Sequence, residues 1–142
     1  MTEITTTERT AVAAAIAIAF SSLPPLGQPM EGGTFRGIVT APDGTHLACV
    51  LLDAKPDKRL SWKDATAWAE SVGGQLPTRP IISLLYANAK GEFEEAWYWT
   101  NETHEDDASY AWFCDFSYGY VFSNLKSYEG RARAVRLIPV RA

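Results

Sequence analysis

The sequence predicts an α+β fold with two helices and small antiparallel sheets. Apolar residues recur at helical spacing between residues 61 and 89, whereas they alternate with polar residues between residues 97 and 139. Before the helices, a Pro-Asp-Gly-Thr turn separates two apolar stretches, which is typical of a hairpin. A chain of 142 residues in this order, a hairpin, two helices and then strands, is expected to form one α+β domain.

The hairpin is predicted from residues 34–40 and 46–53. Between these strands Pro42 fixes φ and Gly44 tolerates a positive φ, as a tight turn requires. Residues 47–52 are all apolar, so the second strand is expected to be central in its sheet. His46, beside the turn, is expected to be a surface residue.

Each helix has a recognisable beginning. Ser61 followed by Asp64 resembles a capping box, and the first helix is expected to end at Gly73. Thr78 is the expected N-cap of a second helix over residues 81–89. The expected buried positions are Trp62, Ala65, Ala69 and Val72 in the first helix and Ile82, Leu85 and Tyr86 in the second.

The last third of the chain is predicted to contain strands over residues 97–100, 109–116, 120–123 and 131–139. In the second of these, Tyr110, Trp112, Cys114 and Phe116 are expected on one face and Ala111, Phe113 and Asp115 on the other. Residues 101–107 are expected to form an acidic loop. The arginines of the last strand, Arg131, Arg133 and Arg136, are predicted either to pair with that loop or to form a phosphate or acid site.

The N-terminal region, residues 1–32, is predicted to be an apolar helix over residues 11–20 followed by a Pro/Gly-rich linker, with the domain proper over residues 33–142. Glu3 and Glu8 oppose a secretory signal, whose first region is positively charged. We therefore expect a cytoplasmic or phage-particle protein without a membrane partner. The helix is expected to pack on the domain or to form a homo-oligomer.

Several function classes lack their sequence features. The net charge is −4 and no basic run is present, so nucleic acid is not an expected partner. Cys49 and Cys114 fit no metal-ligand spacing and are expected to be small buried residues. The loop over residues 101–107 lacks an EF-hand pattern, so no metal or other cofactor is predicted. His104 is the only acid–base candidate in a polar setting, and we expect a protein that is not an enzyme.

Aromatic residues dominate residues 97–136, which contain three of the five Trp and five of the six Tyr. Alternating aromatics usually belong to strands that bury one face. Tyr and Trp mixed with Ser, Gly and Asn also form adaptable recognition surfaces. Both interpretations can hold together, because successive strand residues point to opposite faces.

A set of motifs in order resembles a known family. The motifs are W-x-x-A-x-x-W-A from Trp62, G-G-x-L-P-T-R from Gly73, Y-W-T from Tyr98, Y-A-W-x-x-x-F-x-x-G from Tyr110 and R-A-R-A-V-R from Arg131. This order resembles the C-type-lectin-like fold. More narrowly, it resembles a domain-of-unknown-function family of bacterial and phage proteins that includes the carboxy-terminal domain of a collagen-like adhesin. The fold is shared with formylglycine-generating domains and with the variable proteins of diversity-generating retroelements.

The resemblance implies a ligand-binding surface on the late strands and loops. The residues it indicates are Tyr98, Phe113, Asp115, Ser117, Tyr118, Tyr120, Phe122, Ser123, Asn124, Ser127 and Tyr128. The sequence departs from the calcium-dependent lectins, since it lacks their Glu-Pro-Asn motif and paired disulfides. It also lacks the cysteine-based metal site of the formylglycine-generating enzymes.

The function predicted from these observations is a non-enzymatic binding module of phage or prophage origin, which contacts a protein or a glycan through that surface. Exposed aromatic residues would supply most of the binding energy. The alternative is an intracellular phage accessory or inhibitory protein, which would act on a host protein through the acidic residues 102–107.

Overall fold

A computed structural model describes residues 17–142. Within that range the chain forms an α+β structure with two α-helices and two sheets. The strands are β1 (Ile18–Ala19), β2 (Pro29–Met30), β3 (Gly33–Thr40), β4 (His46–Leu52), β5 (Trp97–Thr103), β6 (Tyr110–Asp115), β7 (Val121–Leu125) and β8 (Val135–Arg141). The helices are α1 (Trp62–Ser71) and α2 (Arg79–Ala89).

The larger sheet has five strands in the order β1-β8-β4-β3-β2. Its centre is β4, which pairs antiparallel with β3 and β8 and is buried from Ala48 to Leu52. The central position predicted for this apolar run is therefore confirmed. The short strand β1 pairs with β8 in parallel, which makes this sheet mixed rather than antiparallel. The smaller sheet, β5-β6-β7, is antiparallel throughout, as predicted.

Both helices begin at the predicted caps. The Ser61 hydroxyl accepts a hydrogen bond from the backbone N–H of Asp64 at 3.3 Å. The Thr78 hydroxyl accepts one from the N–H of Ile81, also at 3.3 Å. Gly73 follows α1 with a φ of +83°, a conformation that a glycine adopts without strain. The local sequence thus determines where these helices start and where α1 ends.

The N-cap of α2 provides a test of whether the local sequence determines where this helix starts. We expect Thr78→Ala to lower the free energy of unfolding by about 1 kcal/mol, since an N–H in the first turn loses its acceptor. Urea unfolding of the purified protein measures the change. Thr78→Ser keeps an accepting hydroxyl and should cost less than about half as much. Equal losses in the two variants would show that the threonine methyl group, rather than the cap, is responsible.

Side chains of β4 point alternately into two core clusters. Cys49 and Leu51 pack with α2 and with Phe116, whereas Val50 and Leu52 pack with α1. Strand β5 divides in the same way, because Tyr98 belongs to the first cluster and Trp99 to the second. Because successive strand residues point to opposite faces, β4 and β5 each contribute side chains to both clusters.

Two predicted strands differ from the structure by three or four residues at one end. The last strand begins at Val135 rather than at residue 131. Residues 131–134 cross from one sheet to the other: the carbonyl of Arg131 accepts the N–H of Trp99 at 3.0 Å, and the carbonyl of Ala134 accepts the N–H of Leu52 at 3.0 Å. Strand β5 extends to Thr103, so the acidic loop starts later than predicted.

The predicted N-terminal helix is wrong where it can be compared. Residues 11–16 lie outside the described residues, but Ile18–Ala19 form β1 and Phe20–Ser22 form a 3₁₀ turn. Ile18 pairs with Val140 and Ala19 with Arg141, so these two residues take part in the sheet instead of a helix. Oligomerisation through this segment remains a prediction.

The predicted pairing of the late arginines with the acidic loop is wrong as well. Arg131 pairs with Glu94 at 2.8 Å, and Arg136 lies 4.0 Å from Glu31. The guanidinium of Arg133 donates to backbone carbonyls. Crossing between the sheets carries these side chains away from residues 101–107, which bond to Arg79 instead.

Candidate binding surface

One face of the small sheet carries aromatic side chains across all three strands. Trp99 in β5 pairs with Phe113 in β6, and Phe113 pairs with Phe122 in β7. Directly opposite residues project to the same face of a sheet. Trp99 is fully buried, Phe113 is half-buried and Phe122 is 55 % exposed. The exposure of these three aromatic residues therefore increases from β5, where Trp99 is buried, to β7, where Phe122 is exposed.

Two tyrosines continue this row into the turn before β7. Tyr118 is 75 % exposed and Tyr120 is 46 % exposed. Their rings stack with centroids 6.0 Å apart, and the ring of Tyr120 meets that of Phe122 edge-on at 4.9 Å. We call Phe113, Tyr118, Tyr120 and Phe122 the aromatic surface. A row of contacting, exposed rings is unusual in a soluble protein, where single exposed apolar residues are the norm.

The turn that carries the tyrosines is held by two hydrogen bonds to Asp115. The carboxylate of Asp115 accepts the N–H of Ser117 at 2.7 Å, and the carbonyl of Asp115 accepts the N–H of Gly119 at 2.6 Å. Gly119 has a φ of +83°, and a Cβ there would lie 2.6 Å from the ring of Tyr86. Glycine is therefore required at this position. These contacts fix the backbone of the turn that carries Tyr118 and Tyr120.

The other predicted site residues divide between several places. Asn124 lies on the face of the aromatic surface, since it pairs with Ala111, and its side chain accepts the N–H of Leu125. Ser127 and Tyr128 are exposed in the loop after β7. Ser123 pairs with Trp112 and so belongs to the opposite face.

Tyr98 does not belong to the aromatic surface. It is 5 % exposed, and its hydroxyl accepts the N–H of Glu94 at 2.9 Å. Burial raises the pKa of this hydroxyl above its ordinary value. Placing Tyr98 on the exposed face is therefore corrected: strand alternation directs it into the core beside Phe116.

The opposite face of the small sheet contains an arrangement that the sequence did not indicate. The indole of Trp112 stacks on His104 at 4.7 Å, and the guanidinium of Arg79 lies 4.5 Å from the centre of the same indole. Arg79 also forms salt bridges with Glu102 and Glu105. Its neighbours are distant in the chain, so no local spacing predicts this cluster.

Side chains of the acidic loop form hydrogen bonds and salt bridges with other residues of the protein. Hydrogen bonds to Glu102 hold the pKa of Arg79 above its ordinary range. The hydroxyl and N–H of Ser109 lower the pKa of the Asp107 carboxyl. The ring of His104 accepts the N–H of Asp106 at 3.1 Å through Nδ1. These groups stabilise the loop conformation, and much of their hydrogen-bonding capacity is used internally.

Within residues 17–142 no group of three or more His, Cys, Asp or Glu side chains is arranged to hold a metal ion. Neither described helix is long and apolar enough to cross a membrane. Cys49 and Cys114 are free and buried, as predicted. No protein-family model matches the sequence, and no curated protein matches it significantly.

Proposed function

We propose that this protein is a non-enzymatic binding module whose aromatic surface docks a partner protein. The observation that supports this function is the row of Tyr118, Tyr120 and Phe122, three contacting aromatic residues of which each is at least 46 % exposed. Tyrosines at the centres of protein interfaces contribute much of the binding energy. An unpartnered row of this kind costs solubility, which favours a function for it.

The rigidity of the surface also supports a binding role. Side chains lose conformational entropy when an interface forms, and a surface that is already ordered loses less. Here Gly119 and the Asp115 turn fix the backbone, and Phe113 lies beside Phe122 on the same sheet face with the ring centroids 6.5 Å apart. Hydroxyl groups at the tips of Tyr118 and Tyr120 add hydrogen-bonding capacity to a mainly apolar contact.

A protein fits these features better than a glycan. Phe113 and Phe122 provide no polar group, whereas sugar recognition needs hydrogen bonds to hydroxyls beside a stacking ring. Nearby polar side chains already use part of their hydrogen-bonding capacity, since Asp115 and Asn124 accept hydrogen bonds from backbone N–H groups. The alternative function through the acidic loop has weaker support, because Arg79 forms salt bridges with Glu102 and Glu105 and offsets part of the loop's negative charge.

We further infer that the α+β architecture is of the C-type-lectin-like kind, in a protein of phage or bacterial origin. This inference is supported by two helices that precede a small antiparallel sheet with its exposed residues late in the chain. The motif order from Trp62 to Arg136 adds to it.

Selection from a displayed random-peptide library tests the function. Peptides enriched on the wild-type protein should bind a Tyr118→Ser/Tyr120→Ser/Phe122→Ser variant at least about tenfold more weakly, since each hot-spot side chain contributes roughly 1–2 kcal/mol. Affinities are measured by biolayer interferometry with synthetic peptides. The substituted side chains are exposed, so the urea midpoint should change little.

Two exposed apolar residues elsewhere provide a matched control. Phe20 is 63 % exposed and Leu26 is 57 % exposed, and neither belongs to the aromatic surface. A Phe20→Ser/Leu26→Ser variant should keep the wild-type affinity for the enriched peptides. If peptides bind the triple variant as well as the wild type, the aromatic surface is not the docking site. Binding of oligosaccharides but no peptides would identify a glycan partner instead.

A further inference from the structure

A second site, which shares no residue with the aromatic surface, lies where residues 131–133 pass between the sheets. It is a cavity of about 230 Å³ bordered by the loop before α1 and by the segment after α2. The lining residues that matter here are Lys55, Lys58, Glu92, Tyr98, Arg131 and Arg133.

Arg133 is the unusual member of this set. Only 4 % of it is exposed, and it donates to the carbonyls of Glu92 at 2.7 Å and Leu52 at 3.0 Å. Its Nε is buried without a hydrogen-bond partner, and no salt bridge to it is found among residues 17–142. Burial lowers the pKa of Arg133 from its ordinary value. A buried guanidinium that forms no salt bridge is unfavourable, which favours an external counter-ion.

The charges around the cavity indicate what that counter-ion is. Four cationic and two acidic side chains line it, which leaves a formal charge of about +2 before any pairing outside the cavity. Glu94 is occupied by Arg131 at 2.8 Å, and Glu92 is shared with Arg36 at 3.6 Å. Lys55 and Lys58 are exposed at the entrance. An anion with two charges matches this balance better than a single carboxylate.

We propose that this cavity binds a phosphate group. Phosphate carries between one and two negative charges near neutral pH and accepts several hydrogen bonds, for which Arg forks and Lys ammonium groups are the usual donors. The cavity is smaller than the roughly 300–1,000 Å³ of sites for larger ligands, so it fits a phosphate with a small substituent at most. The Tyr98 hydroxyl accepts the N–H of Glu94 and can still donate its own proton there.

Titration with inorganic phosphate at constant ionic strength tests the proposal on the full chain. At about pH 7.5, where phosphate is mainly a dianion, ³¹P line broadening should saturate below about 50 mM. In the ¹⁵N-labelled protein the Nε–H signal of Arg133 should shift along the same curve. A Lys55→Ala/Lys58→Ala variant should bind at least about fivefold more weakly, since it loses two of the four cationic side chains that line the cavity.

Controls separate a specific site from general attraction. Arg59→Ala/Lys63→Ala removes the same charge from exposed positions that do not line the cavity, and it should change the Kd less than about twofold. Arg133→Gln should abolish saturable binding. Should that variant fail to fold, the lysine variant and the Nε–H signal decide, because exposed lysines do not hold the core.

Further ligands identify the form in which phosphate binds. Tighter binding of O-phosphoserine than of inorganic phosphate would support a phosphorylated ligand, and the reverse order would support the free ion. The proposal is overturned if no saturation occurs, if the control variant loses as much affinity as the lysine variant, or if acetate binds as tightly as phosphate.

Discussion

Replacing Trp99 by alanine is expected to lower the free energy of unfolding by about 3–5 kcal/mol. Trp99 is completely buried and is the largest fully buried side chain of the described residues. Its ring packs edge-on against Trp97 at 4.8 Å, and its indole N–H donates to the carbonyl of Leu60 at 2.9 Å. The substitution therefore removes the packing against Trp97 and one of the two hydrogen bonds that the Leu60 carbonyl accepts, the other coming from the N–H of Gly130.

Urea unfolding followed by circular dichroism measures this loss, which amounts to a midpoint shift of about 2 M for a protein of this size. Trp99→Phe should cost about 1–3 kcal/mol, since it keeps a ring but loses the hydrogen bond to Leu60. Phe122→Ala is the matched control on the same sheet face, and it should cost no more than about 0.5 kcal/mol because Phe122 is 55 % exposed. A loss below about 1 kcal/mol for Trp99→Ala would contradict the burial that the structure assigns to Trp99.

Trp99 and Phe122 lie on the same sheet face but differ in exposure, and only the first of these two properties can be predicted from the sequence. Alternation assigned Phe113 and Ala111 to one strand face and Cys114 and Phe116 to the other, and the structure agrees. Local signals also gave both helix caps, because a cap depends on residues three positions apart. Whether a residue on such a face is buried or exposed depends instead on which other elements pack against it. These elements are distant in the sequence, so local patterns do not reveal them.

Non-local contacts explain the errors as well. Nothing near Arg131 indicates that the chain leaves one sheet for the other there, and the pairing of Arg79 with Glu102 joins positions 23 residues apart. The alanine-rich N-terminal sequence favours a helix locally, yet Ile18 finds its hydrogen-bond partners at the far end of the chain. Tyr98 was misplaced for the same reason, since its strand is buried on both faces at that point.

Alkaline pH should destabilise the fold through the two buried cysteines. Burial raises the pKa of Cys49 to about 12 and that of Cys114 to about 11, from an ordinary value of 9.0. Both thiols are completely buried, so the folded state disfavours the thiolate. In the unfolded chain the thiols ionise above about pH 9, which favours unfolding. Their contribution to stability is therefore complete below pH 9 and declines as the pH rises towards the folded-state pKa values.

The slope follows from proton linkage. Between about pH 9.5 and pH 10.5 each cysteine should reduce the free energy of unfolding by about 1.4 kcal/mol per pH unit. Urea unfolding at several pH values gives the slope for the wild type and for a Cys49→Ala/Cys114→Ala variant. All other side chains are the same in the two proteins, so the difference between the two slopes isolates the thiols.

We expect that difference to approach two protons per molecule near pH 10. The double variant is less stable at pH 7 because it loses two buried sulfur atoms, but its stability should fall less steeply with pH. Parallel curves would mean that the thiols ionise equally well in the folded protein. Such a result would place water beside Cys49 or Cys114, and it would contradict the packing of β4 against α2 on which the first core cluster depends.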